Sequence, residues 1–250
     1  MTADQAFVDK LLAGQIDLLR FEAGVRARVL AVLTKMQVEL TATLQRADLT
    51  TFSKARTEAL LKQATEIIDR YYAFASGELE LAMRGSAEVI ARHTATAIEA
   101  SPLTVTLAAG LPTETFFTRL VSNTLIQGAA SSDWWGKQTT DTTFRFANVV
   151  RQGLAAGETN EQIVARVAGS PRKGLPGIME VARSNARALV HTSIQAVANE
   201  SRMETYRKNA RDYRAVQWLA TLDQSTCLIC APRDLKEYTL DGEPIGHDLA

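Results

Sequence analysis

The chain has two cysteines and three histidines in 250 residues, so it has no disulfide framework and few nitrogen ligands for a metal. Its 28 basic and 28 acidic side chains cancel, and no overall field draws it to nucleic acid or to an anionic membrane. A protein built to coat DNA is normally basic. No run of about 18 apolar residues occurs, so no membrane-crossing helix is expected. The start, Met1-Thr-Ala-Asp, has neither a basic nor an apolar leader region, and no secretory signal is expected. Phosphate-cradling glycine loops and the Gly-x-Ser-x-Gly nucleophile turn are also missing. A zinc deaminase needs His-x-Glu upstream and a proline before its first cysteine, and Cys227 has neither. These absences leave no case for an enzyme. A cytosolic origin is the simplest reading.

What the chain does have is helix-patterned sequence. Residues 3 to 46 carry one apolar stripe at Leu12, Ile16, Leu19, Leu30, Leu33, Leu40 and Leu44. A second lies beside it at Leu18, Val25, Val29, Val32 and Met36. The combined face is wider than a two-stranded coiled-coil seam and suits a bundle core. Asp48-Leu-Thr-Thr-Phe52 breaks the pattern and caps a second helix running towards Glu99, with Gly77 and Gly85 as weak points. Pro102 ends that helix. Leu103, Val105 and Leu107 alternate with threonines and suggest a short strand. A helix follows from Thr113 or Thr115, closed by Gly128, and another from Trp134 to Leu154.

Gly153-Leu-Ala-Ala-Gly157-Glu-Thr159-Asn-Glu-Gln162-Ile163 reads as a helix stop, then a Thr-x-x-Gln capping box and a short helix to Val167. The Gly- and Pro-rich run 169–177 is the strongest linker signal. Helix returns from Ile178 to about Asn209. Between residues 172 and 214 the chain carries nine basic and four acidic side chains. Such a face serves either solvation or phosphate contact.

From Tyr213 to Ala220 the period becomes two, which suits a strand. A second strand starts at Tyr238 and enters an Asp241-Gly242 turn. Cys227-Leu-Ile-Cys230 lies between them. Such a pair serves as half of a zinc site, as a redox disulfide, or as two small apolar residues in a turn. His247 is the one histidine downstream of it. His93 and His191 sit in helix-patterned sequence.

Trp218, Ala220, Thr221, Asp223, Thr226, Cys227 and Cys230, followed by Asp241-Gly242, resemble the C-terminal pattern of the minor head, or head morphogenesis, proteins of tailed phages (the Mu gpF-like group). The resemblance includes the helix with Thr192, Asn199 and Arg202 and the Gly-Glu-Thr-x-x-Gln-Ile element, spanning about residues 150 to 245. Ser225 stands where the family has arginine. Pro244-Ile-Gly-His247 is a loose start of the family's further Pro-x-His-x-x-Cys-Arg element, with one residue more between proline and histidine and no cysteine after it.

The resemblance implies a minor capsid component of the virion interior, present in host cytoplasm during assembly. It implies binding to the portal protein inside the procapsid and a part in head assembly and DNA packaging or ejection. The major capsid or scaffold protein is a further candidate partner, and no membrane is involved. The expected fold is mainly α, a long-helix bundle with a small α+β module holding the CxxC turn. Its expected divisions are a helical body 1–168, a linker 169–177 and a C-terminal module 178–250. The first helix is the candidate portal contact. Candidate zinc ligands are Cys227, Cys230 and His247. Candidate phosphate contacts for packaged DNA are Arg183, Arg187, Arg202, Arg207, Lys208 and Arg211. Asp223 and Thr226 are expected to fix the turn through backbone hydrogen bonds, with Trp218 as the module's core. Two other classes compete: a metal-dependent, nuclease-like enzyme carried by the CxxC module, and a cellular helical adaptor.

Overall fold

The computed structural model describes residues 3–47, 53–101, 108–170, 174, 176–211, 215–218, 220, 226 and 228–246. The expected cap at Asp48 and the strand at Leu103 to Leu107 lie outside the described residues. Six helices are described: α1 (Ala3–Arg46), α2 (Lys54–Glu99), α3 (Glu114–Asn123), α4 (Ser131–Ala155), α5 (Asn160–Ala168) and α6 (Ile178–Lys208). Two short strands follow, β1 (Val216–Gln217) and β2 (Glu237–Tyr238), with a 3-10 turn at Ala231–Arg233 between them. Gly77 and Gly85 do not interrupt α2.

The buried line of α1 differs from the expected stripes. Leu18, Val25, Val29, Leu33, Met36, Leu40 and Leu44 are buried, whereas Leu12, Ile16 and Leu19 are about half exposed. The steps along the covered line, Phe7, Leu11, Gly14, Leu18, Glu22, Val25, Val29, Leu33, Met36 and Leu40, run four, three, four and then start again. They repeat every eleven residues, about 3.67 per turn, so one face of a nearly straight helix stays covered. Leu19 lies about 100° of helix rotation from Leu18 and falls off that line.

Contacts divide the chain into two compact units, Met1–Asp17 with Ala87–Phe117 and Ala198–Ala250, and Leu18–Ser86 with Thr118–Val197. In the second unit α1 and α2 run antiparallel. Arg28 pairs with Glu78 at 3.1 Å, and Glu39 accepts from Arg70 at 2.6 Å and from the Tyr71 hydroxyl at 2.9 Å. The Arg70 guanidinium holds the Glu39 carboxyl below its ordinary pKa. Helix α6 runs back along α1, with Arg183 donating to Gln37 Oε1 at 2.6 Å.

Glu22 occupies one of the apolar positions of α1 and is only 2% exposed. Its carboxylate meets His191 Nδ1 at 2.8 Å, Gln195 Nε2 at 3.2 Å and Arg26 at 3.4 Å. A buried carboxylate persists only with such donors, so this cluster fixes the register of α6 on α1. Helix α4 buries Trp135, Gln138, Thr142, Phe146, Val150 and Gly153. The Tyr72 hydroxyl and Thr142 Oγ1 lie 2.8 Å apart, and the Tyr72 and Trp135 rings are 5.8 Å apart. Asn160 donates to the carbonyls of Leu44 and Ala47 at 3.0 and 2.8 Å, satisfying acceptors that the end of α1 leaves open.

The capping box forms as its sequence requires. Gln162 N donates to Thr159 Oγ1 at 3.3 Å and Thr159 N to Gln162 Oε1 at 2.8 Å. Gly153 is required by packing, because a Cβ there would lie 2.6 Å from Ile163 Cγ1. Gly177, at the far end of the run expected as a linker, lies against the backbone of Ala168 and Gly169.

In the first unit α6 packs on α2 through small residues. Ser201 Oγ donates to the Ala87 carbonyl at 2.6 Å. Asn209 ties the end of α6 to the connector before α3. Its Oδ1 accepts from Gly110 N at 2.8 Å and its Nδ2 donates to Gly110 O at 2.9 Å.

Candidate functional site

The C-terminal module is built around a very short ladder. Val216 pairs with Tyr238 and Gln217 with Glu237, antiparallel. Trp218 N donates to Lys236 O and Leu235 N to Trp218 O, both at 2.8 Å, which carries the pairing one residue further. The expected strand from Tyr213 to Ala220 is thus regular over Val216–Gln217 among the described residues. Two residues of ladder cannot hold a hairpin alone, and other contacts supply the rest. Ala220 N donates to Asp234 Oδ1 at 2.9 Å, and Gln217 Nε2 to Leu235 O at 3.0 Å. The 3-10 turn follows Cys230, with Pro232 in its first positions, where a missing N–H costs nothing.

Beyond β2 the Asp241-Gly242 turn forms as expected. Gly242 has φ +90, which an L side chain rarely adopts. Gly242 N donates to Thr239 O at 3.0 Å and Glu243 N to Thr239 Oγ1 at 3.1 Å. Ile245 N then returns to Glu237 O at 2.9 Å, so β2 is paired on both edges.

Trp218 is not the module's core. It is 40% exposed, while Tyr238 is 7% exposed. The Tyr238 backbone pairs with β1 on one side and bridges to Pro244 on the other. Trp218 lies edge-on to Tyr238 at 6.5 Å and under the Arg233 guanidinium at 5.8 Å. This lid of tryptophan and arginine leaves Leu228, Ile229 and Leu235 more than half exposed beside it. Cys230 and Thr226 are partly buried. Thr221, Asp223, Cys227 and His247 lie outside the described residues. Among the described residues no cluster of three or more His, Cys, Asp or Glu side chains is placed to hold a metal ion.

The basic residues of α6 are mostly engaged within the chain. Arg187 meets Glu180 at 3.7 Å, and Lys208 meets Glu204 at 3.8 Å. Arg207 pairs with Glu200 at 2.9 Å, Glu204 at 3.7 Å and Asp241 at 3.9 Å. The hydrogen bond to Glu200 is the main cause that raises the Arg207 pKa. The Asp241 contact links the Asp-Gly turn to α6. Arg202 is half-buried and bonded to Asn199 and Gln15. Arg211 is exposed. Phosphate contact along this face therefore competes with carboxylates already present.

Glu22, Asn160, Asn209, Arg233 and Tyr238 carry structural roles that motif reading passes over. Glu22 had a visible signal, an acidic residue in an otherwise apolar eleven-residue register. The others are ordinary polar or aromatic residues whose partners are distant in sequence.

Helix α6, the paired turn and the capping box that precedes them lie in one continuous C-terminal stretch. Residues 145–250 match the Phage Mu protein F like protein family. The matched stretch begins within α4 and takes in α5, α6 and the strand–turn module. No curated protein and no solved structure matches the chain. The Mu F-like family points to phage head morphogenesis, and so to association with the virion and with other head components. No described helix is long and apolar enough to cross a membrane.

Proposed function

We propose that this chain is a minor head protein that binds the portal inside the procapsid and assists head assembly and DNA packaging or ejection. The observation that carries the reading is the Mu F-like match over residues 145–250. The remaining helices have the character of a partner-binding body. On α1, Val8, Leu12 and Ile16 recur at four-residue spacing and are 39%, 55% and 49% exposed. Such a row is a ready face for another helix. The role is structural, without catalysis. The major capsid or scaffold protein is a second partner, and DNA is contacted through phosphates.

Removing α1 whole is a poor test, because Val25, Val29, Leu33, Met36 and Leu40 on the same helix are core. The double substitution Leu12→Asp with Ile16→Asp changes the exposed row alone. Co-sedimentation with the portal oligomer from the same source is expected for the wild-type chain, weakened at least tenfold in the double variant. Equal pelleting of both, with matching helix content, would remove α1 from the contact. No pelleting of the folded wild-type chain would remove the portal reading.

A further inference from the structure

Three groups able to carry positive charge line one small cavity in the first unit, and among the described residues no carboxylate lines it with them. Lys10 of α1, His93 of α2 and Arg202 of α6 surround a space of about 10 Å³, with Gly14 and Thr94 in its wall. Gly14 keeps it open. A Cβ there would meet the His93 Cβ at 3.3 Å and its Nδ1 at 3.5 Å.

Arg202 is the informative member. Its Nη1 donates to Asn199 Oδ1 at 3.0 Å and its Nη2 to Gln15 Oε1 at 3.1 Å, both neutral amide oxygens. Burial lowers its pKa from the ordinary guanidinium value, and the Tyr206 phenol acts more weakly the other way. Other arginines of this chain have carboxylate partners: Arg28 with Glu78, Arg70 with Glu39, Arg166 with Glu158 and Arg207 with Glu200. A desolvated guanidinium without a counter-ion is costly, and an anion brought from outside relieves that cost.

We propose that this cavity is a binding site for a phosphate group, one oxygen of which enters it. The space holds a single atom of oxygen size, so no base or sugar fits inside. An Arg202 N–H meets the oxygen inside, and the exposed Lys10 ammonium meets those left at the mouth. The phosphate is either free inorganic phosphate or a backbone phosphate of nucleic acid. The site stands independently of the head-assembly reading.

The test is thermal unfolding of the full chain at constant pH and ionic strength, in about 20 mM inorganic phosphate or in chloride. A roughly tenfold excess over Kd raises Tm by about 3–6 °C in a chain of this length. Lys10→Ala, at an exposed position, should keep its Tm in chloride and lose at least half of the phosphate increment. Equal Tm in the two salts, or a full increment in Lys10→Ala, overturns the proposal. A short DNA duplex identifies the source. A Lys10-dependent rise with micromolar duplex assigns a backbone phosphate, and a rise with inorganic phosphate alone assigns the free ion.

Discussion

Phe146→Ala is expected to lower the unfolding free energy by about 3–5 kcal/mol, the range for emptying a fully enclosed aromatic site. Phe146 is 1% exposed and lies on α4 between buried Thr142 and Val150. The cavity would open in a helix whose neighbours are held by Tyr72–Thr142 hydrogen bonding and by the close α4–α5 approach at Gly153. These restraints limit collapse around the gap, which is what makes such cavities costly. Phe144→Ala is the internal control. Phe144 is 66% exposed, and its loss is expected to stay within about 0.5 kcal/mol. Urea denaturation followed by helix circular dichroism measures both. Equal losses would contradict the packing of α4 described here.

Gly177→Ala is expected to destabilise by about 1–3 kcal/mol, because the added carbon meets backbone rather than a movable side chain. The atoms it would strike belong to Val167, Ala168 and Gly169. Relief requires the start of α6 to move away from the end of α5. Gly77→Ala should do the opposite and stabilise by up to about 1 kcal/mol, since alanine is the better helix former. A Cβ at Gly77 meets nothing within 4 Å, in the middle of α2. Thermal unfolding of the two variants side by side gives the signs directly. A neutral Gly177→Ala would contradict the close approach of Gly177 to Ala168 and Gly169.

Where local chemistry decides, the sequence was readable. Helix α1 follows its apolar period, and the Thr159–Gln162 box and the Asp241-Gly242 turn form because their side chains act within a few residues. Legibility failed where a choice between two faces depended on distant partners. Leu12, Ile16 and Leu19 are as apolar as Leu18 and Leu33, yet only the latter pair is covered. Phe144 and Phe146 differ in nothing local. Trp218 has the composition of a core residue, yet it is 40% exposed and Tyr238 is the buried ring of the module. The Gly- and Pro-rich composition of 169–177 marks a linker and says nothing of the backbone that Gly177 meets. Of the motif around the cysteines, Trp218, Thr226, Cys230, Asp241 and Gly242 fall within the described residues.

The central claim is a head-assembly role, and the direct measurement is the composition of procapsids assembled from the head proteins of the same source. Purified particles, treated with protease from outside and then opened, are analysed by quantitative mass spectrometry. The account predicts this chain inside, protected, at a few copies per particle, and lost from particles assembled without the portal. Its absence from intact procapsids that contain the portal would contradict that role.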